Sequence, residues 1–329
     1  MKKFLALILV LVLALSVFAG CNKNDDKNDE TEAKDYALAI GVEVTNNLAS
    51  AKSSQTVATV VIDSNNKIVA CRIDAIDFTA TEKDGAPVTA APLSKADLGD
   101  NYKMVEYSSY TGTPAIAEWY VQAAAFEAYV VGKTLAEVKA TALNADGKPT
   151  DAELTAGCTI DVTDFIKAVE NAFASTKKVS FKTAGDIKLG VSAKASEIAY
   201  TATGAKYEFA CDFSGVVLVD GKVVSAIIDS TAVTATTTKN EAGNISATNM
   251  VYAGTKLDQG DDYKMVEYSG YNGTPAIAEW YVQAQVYANT TVGKTVSELA
   301  SLAIEGVAGC TIKVDGYKVA LEAAAKAAR

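Results

Sequence analysis

The apolar positions of this chain switch from a strand-like to a helix-like period, and the switch happens twice. Residues 57–62 and 67–76 are rich in β-branched side chains and flank the polar turn Asp63-Ser64-Asn65-Asn66. The pattern returns at residues 215–219 and 222–228 around Asp220-Gly221, a dipeptide suited to a two-residue hairpin turn. Thr-rich stretches follow at 77–85 and 230–243 and predict a further strand and a loop. Residues 36–51 and 180–203 read as the lead-in strands of the two halves.

Helical signals come next. Thr113-Pro114 offers a capping residue before a proline at the first helical position, so a helix is expected over 114–131 with Gly132 as its stop. Ile116, Trp119, Tyr120, Ala123, Phe126 and Val130 would form its sheet-facing side. Thr134 with Glu137, and Thr295 with Glu298, have capping-box spacing and predict a short second helix in each half. A third should start at Thr163 or Asp164 and run through Ala174, matched by one from Asp315 onward. Strands first and helices after is an α+β pattern: two tandem repeats, each an antiparallel sheet packed against helices.

The halves are copies. Residues 101–133 realign with 262–294 at an offset of 161, and Ala-Gly-Cys-Thr-Ile recurs at 156–160 and 308–312 at an offset of 152. The second copy has therefore lost nine residues in between. The repeats are placed at 36–176 and 177–329, and each is long enough for a core of its own.

The N-terminus has a different character. Lys2 and Lys3 precede an apolar run, and residues 1–20 read as an export signal ending in Phe18-Ala19-Gly20 before Cys21. Small residues before a cysteine resemble a bacterial lipobox, which would make Cys21 the lipidated first residue of the mature chain. Residues 21–35 are nearly all polar and cannot bury enough surface to fold, so they read as an acidic tether. The expected location is the outer face of the cell membrane.

Charge and composition narrow the chemistry. Losing Lys2 and Lys3 takes the formal charge from −10 to −12, a poor match for nucleic acid. There is no histidine, so a Ser-His-Asp arrangement and imidazole metal ligation are excluded. Cys71, Cys158, Cys211 and Cys310 show no CxxC spacing, and no metal site is expected. Export permits disulfides; four thiols allow three pairings, none favoured by spacing, and free buried thiols are the other reading. Gly132-Lys133-Thr134 and Gly293-Lys294-Thr295 are not phosphate loops, because Glu127 and Ala288 stand where the first glycine is needed. No catalytic nucleophile–base pair is visible.

Three paired features remain. Glu118-Trp119-Tyr120 and Glu279-Trp280-Tyr281 carry both tryptophans, either as core or as walls for a flat ligand. Tyr107–Gly112 and Tyr268–Gly273 would be polar aromatic loops. The third feature is Glu153-Leu-Thr-Ala156-Gly157-Cys158-Thr159, matched by Glu305-Gly-Val-Ala308-Gly309-Cys310-Thr311 and followed in each half by a helix. With the Asp220-Gly221-Lys222-Val223 hairpin, this order resembles the FMN-binding domain of exported bacterial flavoproteins. In this chain Glu replaces the family's Asp, Ala replaces its Ser or Thr, and Cys replaces its Ala.

The resemblance implies FMN joined through its phosphate to Thr159 and Thr311 by a flavin transferase, with redox partners at the membrane. It also implies a site built from Glu153, Gly157 and Cys158 in one copy and from Glu305, Gly309 and Cys310 in the other. The expected function is an extracytoplasmic lipoprotein that carries electrons. The alternative is a non-catalytic surface lipoprotein that binds a small ligand or envelope component.

Overall fold

A computed structural model describes residues 32–329 apart from Thr111, Glu197 and Asn272. The signal segment 1–20, Cys21 and most of the tether lie outside the described residues. Strands β1 (Lys34–Asn47), β2 (Lys52–Asp63) and β3 (Ile68–Thr79) form a meander. The small hairpin β4 (Glu82–Lys83) and β5 (Ala86–Pro87) follows it. Then come helices α1 (Lys95–Leu98), α2 (Met104–Ser109), α3 (Trp119–Val130), α4 (Leu135–Lys139), α5 (Ala152–Thr155) and α6 (Thr163–Ala174).

The second half repeats the order. It contains β6 (Val179–Thr183), β7 (Lys188–Ala195), β8 (Ala199–Thr201), β9 (Lys206–Val219), β10 (Lys222–Lys239) and β11 (Ile245–Tyr252). Helices α7 (Lys256–Gln259), α8 (Met265–Tyr271), α9 (Trp280–Asn289), α10 (Val296–Leu299) and α11 (Asp315–Ala327) complete it.

Both hairpins form where expected. Asp220 and Gly221 take φ of 50° and 74°, the left-handed pair that a tight antiparallel turn needs. In the first copy Asp63 Oδ1 accepts from the backbone N–H of Asn65 and Lys67, both at 2.8 Å, and so holds the longer turn. Both capping boxes form, and α6 spans the expected residues.

The strands build two antiparallel sheets, ordered β3-β2-β1-β6 and β11-β10-β9-β7. The α+β class holds for both halves. Each sheet is apolar on both faces. Ala39, Ala58, Val60 and Ile73 pack against α3 and α6 on the outer side of the first sheet. Its other face, with Leu38, Ile40, Val57 and Ile76, packs against the second sheet. There Phe78 stacks on Phe209 with ring centres 5.4 Å apart, and Thr231 Oγ1 donates to Gln55 Oε1 at 2.6 Å. Helices α9 and α11 cover the far side of the second sheet. The described chain is thus a helix–sheet–sheet–helix stack. The first repeat keeps a helix-facing core of its own, while its sheet-facing core is shared with the second repeat.

Four expectations change. The segment 180–203 divides between sheets, because β6 pairs with β1 and β7 joins the second sheet as the counterpart of β1. Strand β1 begins at Lys34, inside the expected tether, because Lys34 and Asp35 pair with Thr183 and Lys182 of β6. The helix expected from Pro114 starts at Trp119 instead, with Glu118 at its cap. Glu118 is engaged elsewhere: its carboxylate accepts from the N–H of Met104 at 2.8 Å and Val105 at 3.1 Å, the free first turn of α2. Glu279 does the same for Met265 and Val266. The expected Tyr107–Gly112 loop is therefore partly helix.

Glycine sets the distance between sheet and helix. A Cβ on Gly41 would lie 2.1 Å from Ala172 N and 2.4 Å from Ala168 O of α6. On Gly190 it would lie 1.8 Å from Ala324 O of α11. Each of these strand glycines faces alanines one helical turn apart. Gly41→Ala and Gly190→Ala should each lower stability by about 1–3 kcal/mol or more through overpacking. The check is the urea midpoint of each variant against the parent chain.

Candidate functional site

The site is assembled from the start of α7, the start of α9 and the Gly-Cys-Thr loop before α11. Helix α7 is positioned from beneath by Asp229, a buried carboxyl in the middle of β10. It accepts from Leu257 N at 3.0 Å and Ser230 N at 2.7 Å, and the Thr255 hydroxyl also bonds to it. Asp74 does the same in β3, accepting from Ala96 N at 3.1 Å and Ala75 N at 2.8 Å with Ser94 beside it. Burial pushes Asp74 up to about 6 and Asp229 up to about 7, against the pull of these hydrogen bonds.

Each anchored helix presents a lysine to two aromatic rings. Lys256 Nζ lies 5.7 Å from the Tyr263 ring centre and 5.5 Å from that of Trp280. Lys95 Nζ lies 5.5 Å from Tyr102 and 5.7 Å from Trp119. Both tryptophans are buried, as the core reading expects, yet their edges border this lysine. Trp280 Nε1 donates to Tyr317 Oη of α11 at 3.0 Å. The first copy has Phe165 there, edge-on to Trp119.

The two threonines singled out in the sequence hang on a residue the sequence reading passed over. Gln122 and Gln283 are fully buried in α3 and α9. Gln283 Oε1 accepts from Thr311 N at 2.7 Å and Thr311 Oγ1 at 3.0 Å, while its Nε2 donates to Ala278 O at 2.7 Å. Gln122 repeats this with Thr159 N at 2.9 Å, Thr159 Oγ1 at 3.2 Å and Ala117 O at 2.7 Å. A glutamine on the apolar side of a helix, present in both copies, was the signal to read.

The surrounding loops differ. Glu153 is exposed at the start of α5, and Asp151 caps that helix. Gly157 presses on Ala125, and Cys158 is fully buried, which pushes its thiol up to about 11. Around Glu305 no helix forms, Gly309 has φ of 82°, and Cys310 is half-buried with its thiol also raised by burial. All four described cysteines are unpaired, and burial raises the thiol of each. None is poised as a thiolate nucleophile near neutral pH.

Thr311 is exposed and borders a cleft of about 590 Å³, within the size range of small-molecule sites. Lys256, Lys313, Tyr263, Trp280, Tyr317 and Ile277 are among its walls. These residues suit a phosphorylated aromatic group. The lysines supply positive charge, the rings supply flat apolar surface, and the threonine hydroxyl is reachable. Substituting that hydroxyl would leave Gln283 Oε1 its N–H partner. Glu305 is not in this cleft; it lines a neighbouring one of about 720 Å³ that also touches Thr311 and Lys313.

Tyr107 of α2, Tyr110 at its C-terminal cap, and Tyr268 and Tyr271 of α8 are 59–76 % exposed and do not line the cleft. Among the described residues there is no cluster of three metal-ligating side chains, and no helix is long and apolar enough to cross a membrane. No protein-family model, curated protein or solved structure matches the chain, so each repeat is the reference against which the other is read.

Asp229 gives the site a pH signature. Its native pKa lies above the unfolded value, so between roughly pH 4 and pH 7 the folded chain keeps a proton that the unfolded chain has released. Its contribution is therefore greatest below pH 4 and is lost as pH rises through about 7. Asp229→Asn should flatten that fall, gaining on the parent chain by a few kcal/mol at pH 8, at about 1.4 kcal/mol per pKa unit. Urea unfolding at a series of pH values measures it.

Proposed function

We propose that this chain is a lipid-anchored extracytoplasmic protein that carries flavin mononucleotide at its Gly-Cys-Thr loops and passes electrons between membrane donors and external acceptors. The setting of Thr311 supports this reading most. Its hydroxyl borders a cleft of flavin-compatible size that combines two lysines with three aromatic walls. Attachment would join threonine Oγ1 to the flavin phosphorus. A phosphoanhydride of a flavin dinucleotide breaks, a nucleoside monophosphate leaves, and the hydroxyl proton passes to solvent. This chain has no histidine to act as base, so a separate flavin transferase would supply that catalysis.

The bound flavin supplies the redox chemistry. The chain's own groups hold it. Lys256 and Lys313 would hold the phosphate, Gln283 fixes the Thr311 backbone, and Tyr263, Trp280 and Tyr317 would shield the ring. Thr159, Gly157, Cys158 and Glu153 form the corresponding loop in the first repeat.

A second reading is a non-catalytic surface lipoprotein that binds a small ligand or envelope component. The exposed Tyr107, Tyr110, Tyr268 and Tyr271 favour it, since aromatic rings held in water commonly serve recognition.

Co-expression with a flavin transferase, followed by absorbance and intact-mass measurement, tests the proposal. The expected result is a yellow protein with added FMN mass that Thr159→Ala with Thr311→Ala abolishes. A colourless, unmodified chain from its native host would overturn it.

A further inference from the structure

The two sites differ in charge, and the difference falls on two positions. The buried carboxylates Asp74 and Asp229 each accept the N–H of a helix residue, 96 or 257, and so align β3 with β10. Under that alignment Ala232 stands where the first repeat has Asp77. Asp77 Oδ2 lies 3.5 Å from Lys95 Nζ and 2.9 Å from Lys52 Nζ, so the aromatic-flanked lysine of the first repeat already has a counter-ion. Lys256 has no such ion pair: among the described residues no salt bridge reaches it, its ammonium lies over the Tyr263 and Trp280 rings, and the carboxyl whose charge it favours is Asp212 of β9. Asp212 is half-buried and accepts from Ser230 Oγ at 3.0 Å; desolvation holds its carboxyl above the usual range, against the pull of that bond and of Lys256.

The second position follows from the Cys158–Cys310 match. Three residues on, the first repeat has Asp161, whose Oδ1 accepts from Thr163 N at 2.8 Å, and the second has Lys313, which lines the cleft. Both changes act in the same direction: the first site has a carboxylate at each position, and the second has none. A half-buried ammonium without a direct ion pair is costly, and an anionic ligand supplies one.

We propose that only the second repeat recognises an anion, that the ligand is a planar aromatic body bearing a phosphate or carboxylate, and that Lys256, Lys313 and the alanine at 232 determine this. The inference rests on the ligand-carrier reading above and narrows it from two equivalent sites to one. The first repeat, with its lysine neutralised and Cys158 buried, is then a structural partner.

The test is equilibrium titration of the full chain with free FMN, with riboflavin, which has the same ring and no phosphate, and with 1-naphthyl phosphate. The expected result is one site per chain that binds FMN about tenfold or more tighter than riboflavin, the share of one or two charge-assisted contacts. Lys256→Met should weaken it about tenfold and Lys95→Met should leave it unchanged. Ala232→Asp, which only adds the counter-ion found in the first repeat, should also weaken it. Asp77→Ala with Asp161→Lys should raise the stoichiometry to two. Circular dichroism confirms that each variant is folded.

The outcomes separate the two readings. One naphthyl phosphate site that is lost in Lys256→Met, with no flavin bound, would reject flavin and keep this inference. Two equal FMN sites indifferent to Ala232→Asp would reject this inference and keep flavin. No binding of any aromatic anion, or equal losses in Lys95→Met and Lys256→Met, would overturn it outright.

Discussion

Everything in this molecule hangs on two sheets that each bury both faces. A sheet with one apolar face needs one partner layer; these need two, a helical layer outside and the other sheet inside. Val57, Ile76 and Phe78 of the first repeat share one apolar cluster with Phe209 and its neighbours in the second, and Phe78 stacks on Phe209. Hydrophobic burial supplies the attraction, and specific polar contacts set the alignment. Gln55 meets Thr231 across the seam. At the rim, Glu127 is buried with Arg72 and Arg329 each 2.8 Å from its Oε2, while Arg72 Nε donates to Leu189 O at 3.0 Å. That network ties α3 of one repeat to β7 of the other.

The cleft inherits its geometry from this stack by short steps. Gly190 lets α11 settle close on β7, which places Tyr317 against Trp280. Asp229 draws α7 onto β10 and so holds Lys256 beside the same tryptophan. Gln283 reaches from α9 to the loop and fixes Thr311. Three elements converge on one tryptophan: a close-packed glycine sets α11, and a buried polar side chain holds each of the other two. The geometry of the cleft thus depends on desolvated hydrogen bonds, which are strong because water is excluded from them.

Much of this was legible in the sequence where the signal is local. Asp220-Gly221 specifies its turn, Thr134 and Glu137 specify a helix start, and the apolar spacing of Phe165, Ala168, Val169 and Ala172 specifies α6. Local signals also misled. Thr113-Pro114 looks like a helix start, but α3 begins only after Glu118, whose carboxylate satisfies the first turn of α2 fourteen residues back, and that contact is not encoded in neighbouring residues. Asp74, Asp229, Gln122 and Gln283 stood in view as polar residues in apolar stretches, duplicated at equivalent places. The stacking of the sheets was not legible. A run of residues apolar on both faces announces two partners without naming either, and the crossing of β6 to the first sheet is set by which edge is open.

The glycine-to-alanine spacing, the anchoring carboxylates and the glutamine hooks are all duplicated, but the rim clamp and the charges around the two lysines are not. Two identical subunits meeting across the same face would have to carry every residue twice, so any carboxylate that neutralised one lysine would neutralise both. Joining the halves in one chain removes that obligation. With the second half able to hold the shared seam together on its side, the first is free to accumulate Asp77 and Asp161, and the second to lose their equivalents. The single covalent connection through β6 is therefore more than a tether between domains: it is the feature that permits the two halves to differ at equivalent positions.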